Sequence, residues 1–198
     1  MRDYPEILVL RHGETTWNRA GRFQGALDSP LTARGRAQAK AMGALLARHL
    51  ADPGRFRAFT SPQGRAVATA DRVLAPLGLV PAQDARLAEA GFGDWQGLGW
   101  QEIAAGWPEM ARRAEEEPFF WQFEAPGGES LTALRQRVTA FLDDLPGPAI
   151  LVTHGLTSRV LRGVWLGLAE PDLPALEDGQ GVVFHLRPGQ GQSLLTPT

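Results

Sequence analysis

Short, wholly apolar runs alternate along this chain with longer segments whose apolar residues recur every three or four positions. Ile7-Leu8-Val9-Leu10 and Ala149-Ile150-Leu151-Val152-Thr153 are uninterrupted and stop abruptly, the pattern of strands buried on both faces of a parallel sheet. Gly181-Val182-Val183-Phe184-His185-Leu186 predicts a late strand, and the polar tail from Pro188 an edge strand or a loose end. Four helices are expected between them. The first follows Thr32 as its cap, turns Ala37, Ala41, Leu45 and Leu46 inward, and stops at Asp52-Pro53-Gly54. Ser61-Pro62 opens the second in the favoured order of cap then first-turn proline, with Ala66, Ala70, Val73, Leu74 and Leu77 as its stripe and Gly78 as its stop. The third starts near Ser130 and carries Leu131, Leu134, Val138, Phe141, Leu142 and Leu145 as far as Pro146-Gly147-Pro148. The fourth follows Gly155, with Leu161, Val164, Trp165 and Leu168 inward. Such alternation predicts a doubly wound α/β sheet, and 198 residues fit one domain spanning 1–198. Residues 91–128 break the rhythm, being dense in Gly, Pro and aromatic rings. They read either as an inserted lid or as rings covering a satellite core under a long connection.

Composition narrows the chemistry. Twenty Lys+Arg against 22 Asp+Glu leave a net −2, which argues against a nucleic-acid or anionic-membrane partner held by bulk charge, so any bound anion must be held locally. With no cysteine, thiolate nucleophiles, disulfides and Cys-based metal sites are excluded. No apolar run approaches the ~20 residues of a membrane span, and Met1–Glu6 does not read as a signal peptide, so a soluble cytoplasmic protein is expected. Lys40 is the one lysine, which leaves little room for a Schiff-base or phosphate-loop lysine. Two of the four histidines directly follow the apolar strands, in Arg11-His12-Gly13 and Thr153-His154-Gly155. Ligands collect beyond the carboxyl ends of strands in open α/β sheets, so both imidazoles should face one crevice, each followed by a Gly that lets a ligand approach. A lone histidine there is ordinarily structural; a pair points to function. His49 and His185 have no such setting and are assigned to structure. A divalent metal is disfavoured, because Arg11 abuts His12 and neither a His-Glu-x-x-His helix nor an Asp-rich loop occurs, so no metal and no cofactor are expected. Arg65 falls in the first turn of the second helix, where free amides and the dipole favour phosphate, and its guanidinium matches phosphoryl oxygens in pairs.

An ordered set of segments resembles the histidine phosphatase superfamily, the phosphoglycerate-mutase-like proteins, over nearly the whole chain. Leu10-Arg11-His12-Gly13-Glu14-Thr15-Thr16-Trp17-Asn18 resembles its signature, and Gly21–Gly25, Asp28–Thr32 and Gly35–Ala39 are similar to the segments that follow it. Ser61–Ala66 with Thr69-Ala70, Leu87–Gly97, Pro126–Ser130 and Val152–Gly155 complete the series. The resemblance implies a three-layer α/β/α fold whose mostly parallel six-stranded sheet has one antiparallel strand. It also implies His12 as the nucleophile that becomes phosphorylated, Glu89 as proton donor to the leaving oxygen, and Arg11, Arg65 and His154 as the clamp on the phosphoryl group. Asn18, Gln24 and Gly155 are candidates for further donors to the phosphate, and Glu14 and Glu129 for orienting other site residues. Arginines beside a neutral imidazole help keep it unprotonated, and fixed positive groups on the phosphoryl oxygens remove the need for a metal.

Within that family the chain reads as a metal-independent phosphomonoesterase acting on a small organic phosphate. In cofactor-dependent mutases, as the resemblance goes, Glu-Arg-His-Tyr-Gly follows the proton donor, whereas Ala90-Gly91-Phe92-Gly93 follows Glu89 here. A phosphoglycerate mutase remains the alternative of the same class, and a non-catalytic phosphate-binding regulatory module that of another. The aromatic-rich stretch suggests a substrate with an organic body, and its portion from Trp107 to Trp121 is also a candidate homodimer face.

Overall fold

A computed structural model of the protein describes residues 4–197. Six strands, β1 (Ile7–Arg11), β2 (Arg57–Thr60), β3 (Ala82–Gln83), β4 (Ala149–Thr153), β5 (Val183–Arg187) and β6 (Gly191–Leu195), form one sheet in the order β3-β2-β4-β1-β5-β6. The pairs β3–β2, β2–β4 and β4–β1 are parallel, and β5 runs antiparallel to both β1 and β6. The expected mostly parallel sheet with one antiparallel strand is thus what forms, and the polar tail supplies the edge strand β6.

Strand residues point alternately to the two faces, so an uninterrupted apolar run demands a hydrophobic layer on each side. Leu8, Leu10, Ile150 and Val152 meet Ala39, Met42 and Leu46 of α2 (Ala33–His49) and Ala66, Ala70 and Val73 of α3 (Gly64–Leu74), the α-helices that follow the single-turn α1 (Thr16–Arg19). On the other face Ile7, Val9 and Leu151 join a cluster with the connection that holds α4 (Trp100–Gly106) and α5 (Glu109–Glu116), then α6 (Leu131–Asp143) and α7 (Gly155–Leu166). None of the described helices is long and apolar enough to cross a membrane.

Two helices differ from the sequence pattern. In α2 the buried residues are Gly35, Ala39, Met42, Gly43 and Leu46, while Ala37 is exposed and Ala41 and Leu45 are half-buried. Counting alanines misplaces the face because backbone proximity sets it: a Cβ on Gly35 would lie 2.0 Å from the Glu14 carbonyl oxygen, and one on Gly43 would lie 2.8 Å from that of Val73. The helix after Ser61-Pro62 starts only at Gly64, with Gln63 at its N-cap and no side-chain cap bond. Ser61 Oγ accepts from Gln63 N (3.2 Å), ahead of the helix, and also contacts His154. Thr32 and Ser130 do cap α2 and α6, accepting from Gly35 N and Ala133 N.

Residues 91–128 carry rings that pack on one another and on the sheet core. Trp95 lies 5.3 Å from Trp121 and 6.0 Å from Trp107, and Phe119 lies 5.1 Å from Phe120. Phe92, Trp95, Phe119 and Trp121 are buried, and Trp107 packs partly buried against them. The indoles and phenyls from 107 to 121 therefore turn inward within this chain.

Candidate active site

The register of β1 and β4 pairs Arg11 with Thr153, so the chain leaves both strands at the same level. His12 N donates to Thr153 O (2.9 Å), and the His12 and His154 rings meet edge to face with centroids 5.1 Å apart. Neighbouring β2 ends at the same height, where Ser61 N donates to Val152 O (3.0 Å) and Ser61 Oγ sits 2.8 Å from His154 Nε2. These turns form the floor of a cavity of about 250 Å³ lined by Arg11, His12, Arg65, Glu89 and Gly155 among others.

The ring of His12 is oriented by its own backbone. Nδ1 lies 2.8 Å from the Gly13 carbonyl, which can only accept, so Nδ1 carries the proton and Nε2 keeps its lone pair. Nε2 in turn faces the Nε–H of Arg65 at 3.3 Å. Burial, and then the charges of Arg11 and Arg65, hold this imidazole well below its usual pKa, outweighing the Gly13 hydrogen bond. Burial also pushes His154 well down, aided by His12, Arg65, Arg11 and Arg137. Its Nδ1 is buried without a partner, as is Arg11 Nε. An unpaired buried donor or acceptor costs about 1–3 kcal/mol, a cost that an arriving phosphoryl group would relieve.

Arg65 is locked from four sides. NH1 donates to Leu27 O (2.7 Å) and Asp28 Oδ1 (3.1 Å), NH2 donates to Gly25 O (2.9 Å), and Nε faces His12. The Arg65 amide, expected to present itself to phosphate at the helix start, donates instead to the Asp28 carboxylate (3.2 Å). The helix terminus that opens on the cavity is that of α7, and it holds Glu89: Oε1 accepts from Thr157 N (3.1 Å) and Ala90 N (3.0 Å), and Oε2 accepts from Leu156 N (3.4 Å). Gly155 lets Arg11 pass over the start of α7, where a Cβ would lie 3.3 Å from the guanidinium carbon.

The family model described as "Histidine phosphatase superfamily (branch 1)" matches residues 7–196. The chain belongs to this superfamily. A curated relative, phosphoserine phosphatase 1 of Hydrogenobacter thermophilus, is 32% identical over 168 residues, covering 82% of this chain and 77% of the relative. Another, the probable phosphoglycerate mutase GpmB of Yersinia pestis, is 34% identical over 175 residues, covering 82% and 75%. Among solved structures, a mycobacterial glucosyl-3-phosphoglycerate phosphatase in complex with VO3 superposes with a TM-score of 0.79 at 32% identity, covering 98% of this chain and 99% of that one.

In this histidine phosphatase domain the expected site residues come together at one end of the sheet. Arg11, His12, Arg65, Glu89, Asn18, Gln24 and Gly155 line the cavity, and the His154 ring meets that of His12 edge to face. Asn18 completes a capping box with Thr15, and its Oδ1 also accepts from Gln180 Nε2 (3.0 Å). Gln24 Oε1 accepts from Ser29 Oγ (2.9 Å). Glu14 and Glu129 are not among the groups that orient the site. Glu14 accepts from Thr32 Oγ1 (2.6 Å) at the start of α2, and Glu129 pairs with Arg137 of α6 (2.7 Å), because each has a closer donor on its own side of the chain. His49 and His185 do contact each other (3.2 Å) away from the cavity, with His185 2.7 Å from Glu6.

Several working residues escape sequence reasoning. Ser61 reads as a helix cap. Gln63, two residues before Arg65, accepts from Glu89 N (2.9 Å) and donates to Gly25 O (2.7 Å), tying the acid to the loop under Arg65. Asp178 receives Arg11 NH1 at 2.5 Å and Gln180 Nε2 donates to the His12 carbonyl (3.2 Å), both from a polar loop before β5. Only the Ser-Pro-Gln-Gly-Arg spacing offered a signal, and it was compatible with capping.

Proposed function

We propose that this protein hydrolyses small phosphomonoesters in two displacements through a phosphohistidine at His12. The observation that carries the reading is the fixed tautomer: Nδ1 tied to Gly13 O leaves Nε2 unprotonated in the cavity, against the two guanidiniums of Arg11 and Arg65. In the first step the Nε2 lone pair forms a bond to phosphorus while the bond to the ester oxygen breaks, and Glu89 delivers a proton to that oxygen. In the second, Glu89 takes a proton from water as the water oxygen bonds to phosphorus and the P–N bond returns its electrons to Nε2. Arg11 and His154 hold phosphoryl oxygens, Arg65, whose N–H groups are taken by Gly25, Leu27, Asp28 and His12, contributes its fixed charge beside them, and Asn18, Gln24 and the start of α7 at Gly155 supply further donors.

Hydrolysis is favoured over mutase chemistry. Ala90-Gly91-Phe92 follows the acid, and the Arg11–Asp178 pair at the mouth is partly exposed, Asp178 by 35%, so water can reach the phosphorylated ring. Relatives named as phosphatases of phosphoserine and of glucosyl-3-phosphoglycerate support the same class. The 91–128 connection acts as a wall of the site: it sends Phe92 and Gln122 to the cavity beside Phe23 and keeps Trp95, Phe119 and Trp121 in the core.

Turnover of p-nitrophenyl phosphate in excess EDTA tests the proposal. Metal-independent hydrolysis is expected, with loss of about 10³-fold or more in His12→Ala and an acid-labile phosphoryl adduct on His12 in stopped reactions. Undiminished turnover in His12→Ala overturns it.

A further inference from the structure

The loop of residues 176–182 ahead of β5 reaches back to the site with a half-buried side chain that does not itself line the cavity. Gln180 Nε2 lies 3.2 Å from the His12 carbonyl oxygen and 3.0 Å from Asn18 Oδ1, so the two hydrogens of one NH2 group meet two acceptors. Its amide cannot be turned round, because a carbonyl oxygen in that place would face two others. The loop is anchored from two sides. Asp178 pairs with Arg11, and the Glu177 carbonyl accepts from NH2 of Arg162, a fully buried residue of α7 that also donates to Gln192 of β6 (2.9 Å) and lies 3.7 Å from the centroid of the Phe184 ring.

Asn18 has one amide end that binds a phosphoryl oxygen and one that repels it. Oδ1 accepts from Thr15 N and Thr15 Oγ1 (3.1 Å each) as well as from Gln180, which identifies it as the oxygen and saturates it. Nδ2 has no hydrogen bond within the chain among the described residues, and Asn18 lines the cavity. Thr15 belongs to the same short turn and moves with Asn18. Gln180 comes from a remote loop, and because one nitrogen serves both acceptors it ties the Asn18 amide directly to the backbone of the nucleophile. Groups that bind a reacting centre gain from such support when their own rotamers are fixed by partners outside the site.

We propose that Gln180 is a positioning residue for phosphoryl binding: it keeps the NH2 end of Asn18 toward the phosphoryl group and at a set distance from His12, without touching the substrate. This rests on the reading of Asn18 as a phosphoryl donor in the phosphatase mechanism.

Inorganic phosphate is the probe, and calorimetry gives its Kd for the wild type, Gln180→Met, Asn18→Ala and the double variant. Methionine keeps the length of glutamine and removes the amide. Gln180→Met should raise Kd by about 3- to 10-fold, the worth of one neutral hydrogen bond, and by less than about twofold once Asn18 is alanine, because no amide is then left to orient. A merely structural role would raise Kd equally in both backgrounds. An equal increase, or a Kd unchanged in Gln180→Met, overturns the inference. Gln180→Leu, which removes the amide with a different shape, runs through the same cycle and covers a misfolded Gln180→Met. Turnover of p-nitrophenyl phosphate by the wild type is scored separately. Turnover with an additive cycle keeps the phosphatase reading and loses the inference, whereas a coupled cycle without turnover keeps the inference and sinks that reading.

Discussion

Protonating His12 would put a third positive charge against Arg11 and Arg65 on a buried ring, and the ring therefore stays neutral. The acid limb of kcat/KM for p-nitrophenyl phosphate should accordingly lie below the ordinary histidine value of 6.5. Removing one of the charges, as in Arg11→Gln, should move that limb to higher pH in the residual activity. A wild-type limb at or above 6.5 would contradict the assignment of the neutral nucleophile. The surrounding residues show how little of this is local. Arg65 reads in the sequence as a phosphate ligand at a helix start, yet its amide belongs to Asp28 and its guanidinium to two carbonyls some forty residues upstream. Ser61 reads as a cap and is the partner of His154. Both residues were flagged by the sequence, and in both the partner comes from a remote segment that no window around the residue contains.

At the level of elements, α6 and α7 were legible because their apolar period is strong and their ends carry Ser130, Gly155 and the Pro146-Gly147-Pro148 break. The strand β2 was not: Arg57-Ala58-Phe59-Thr60 has too few apolar residues to stand out, and β3 has two residues only. The face of α2 was misread because two glycines set it by close backbone approach. That contact makes a prediction with opposite signs at two glycines. Gly35→Ala would push a methyl to 2.0 Å from Glu14 O and should cost about 1–3 kcal/mol, and with it activity, since the same loop anchors His12. Gly106→Ala meets nothing within 4 Å at the end of α4 and should stabilise by about 0.4–1 kcal/mol. Urea unfolding of the two variants checks both; equal effects would mean that α2 is not held at that approach.

For the molecule as a whole, three histidines are carried neutral into the fold. His12 and His154 are held well below the usual value, and His185 falls to about 4 through burial, then Arg187, His49 and Arg55, the last also occupying Glu6. The unfolded chain binds protons at these residues near 6.5, whereas the folded one does not until lower pH. Stability is therefore intact above 6.5 and lost as the pH falls through it, by up to about 1.4 kcal/mol per pH unit for each such histidine. Denaturant titrations at pH 7.5 and 5.5 should show that loss, and a stability flat across the interval would mean that these rings titrate normally in the fold. By itself the sequence determined the α/β alternation, the family and the two strand-end His-Gly pairs, since these depend on period and order along the chain. Only the tertiary structure decided which donors are already satisfied and which remain open at His154 and Arg11, because a polar atom is left unpaired by what distant segments fail to bring to it.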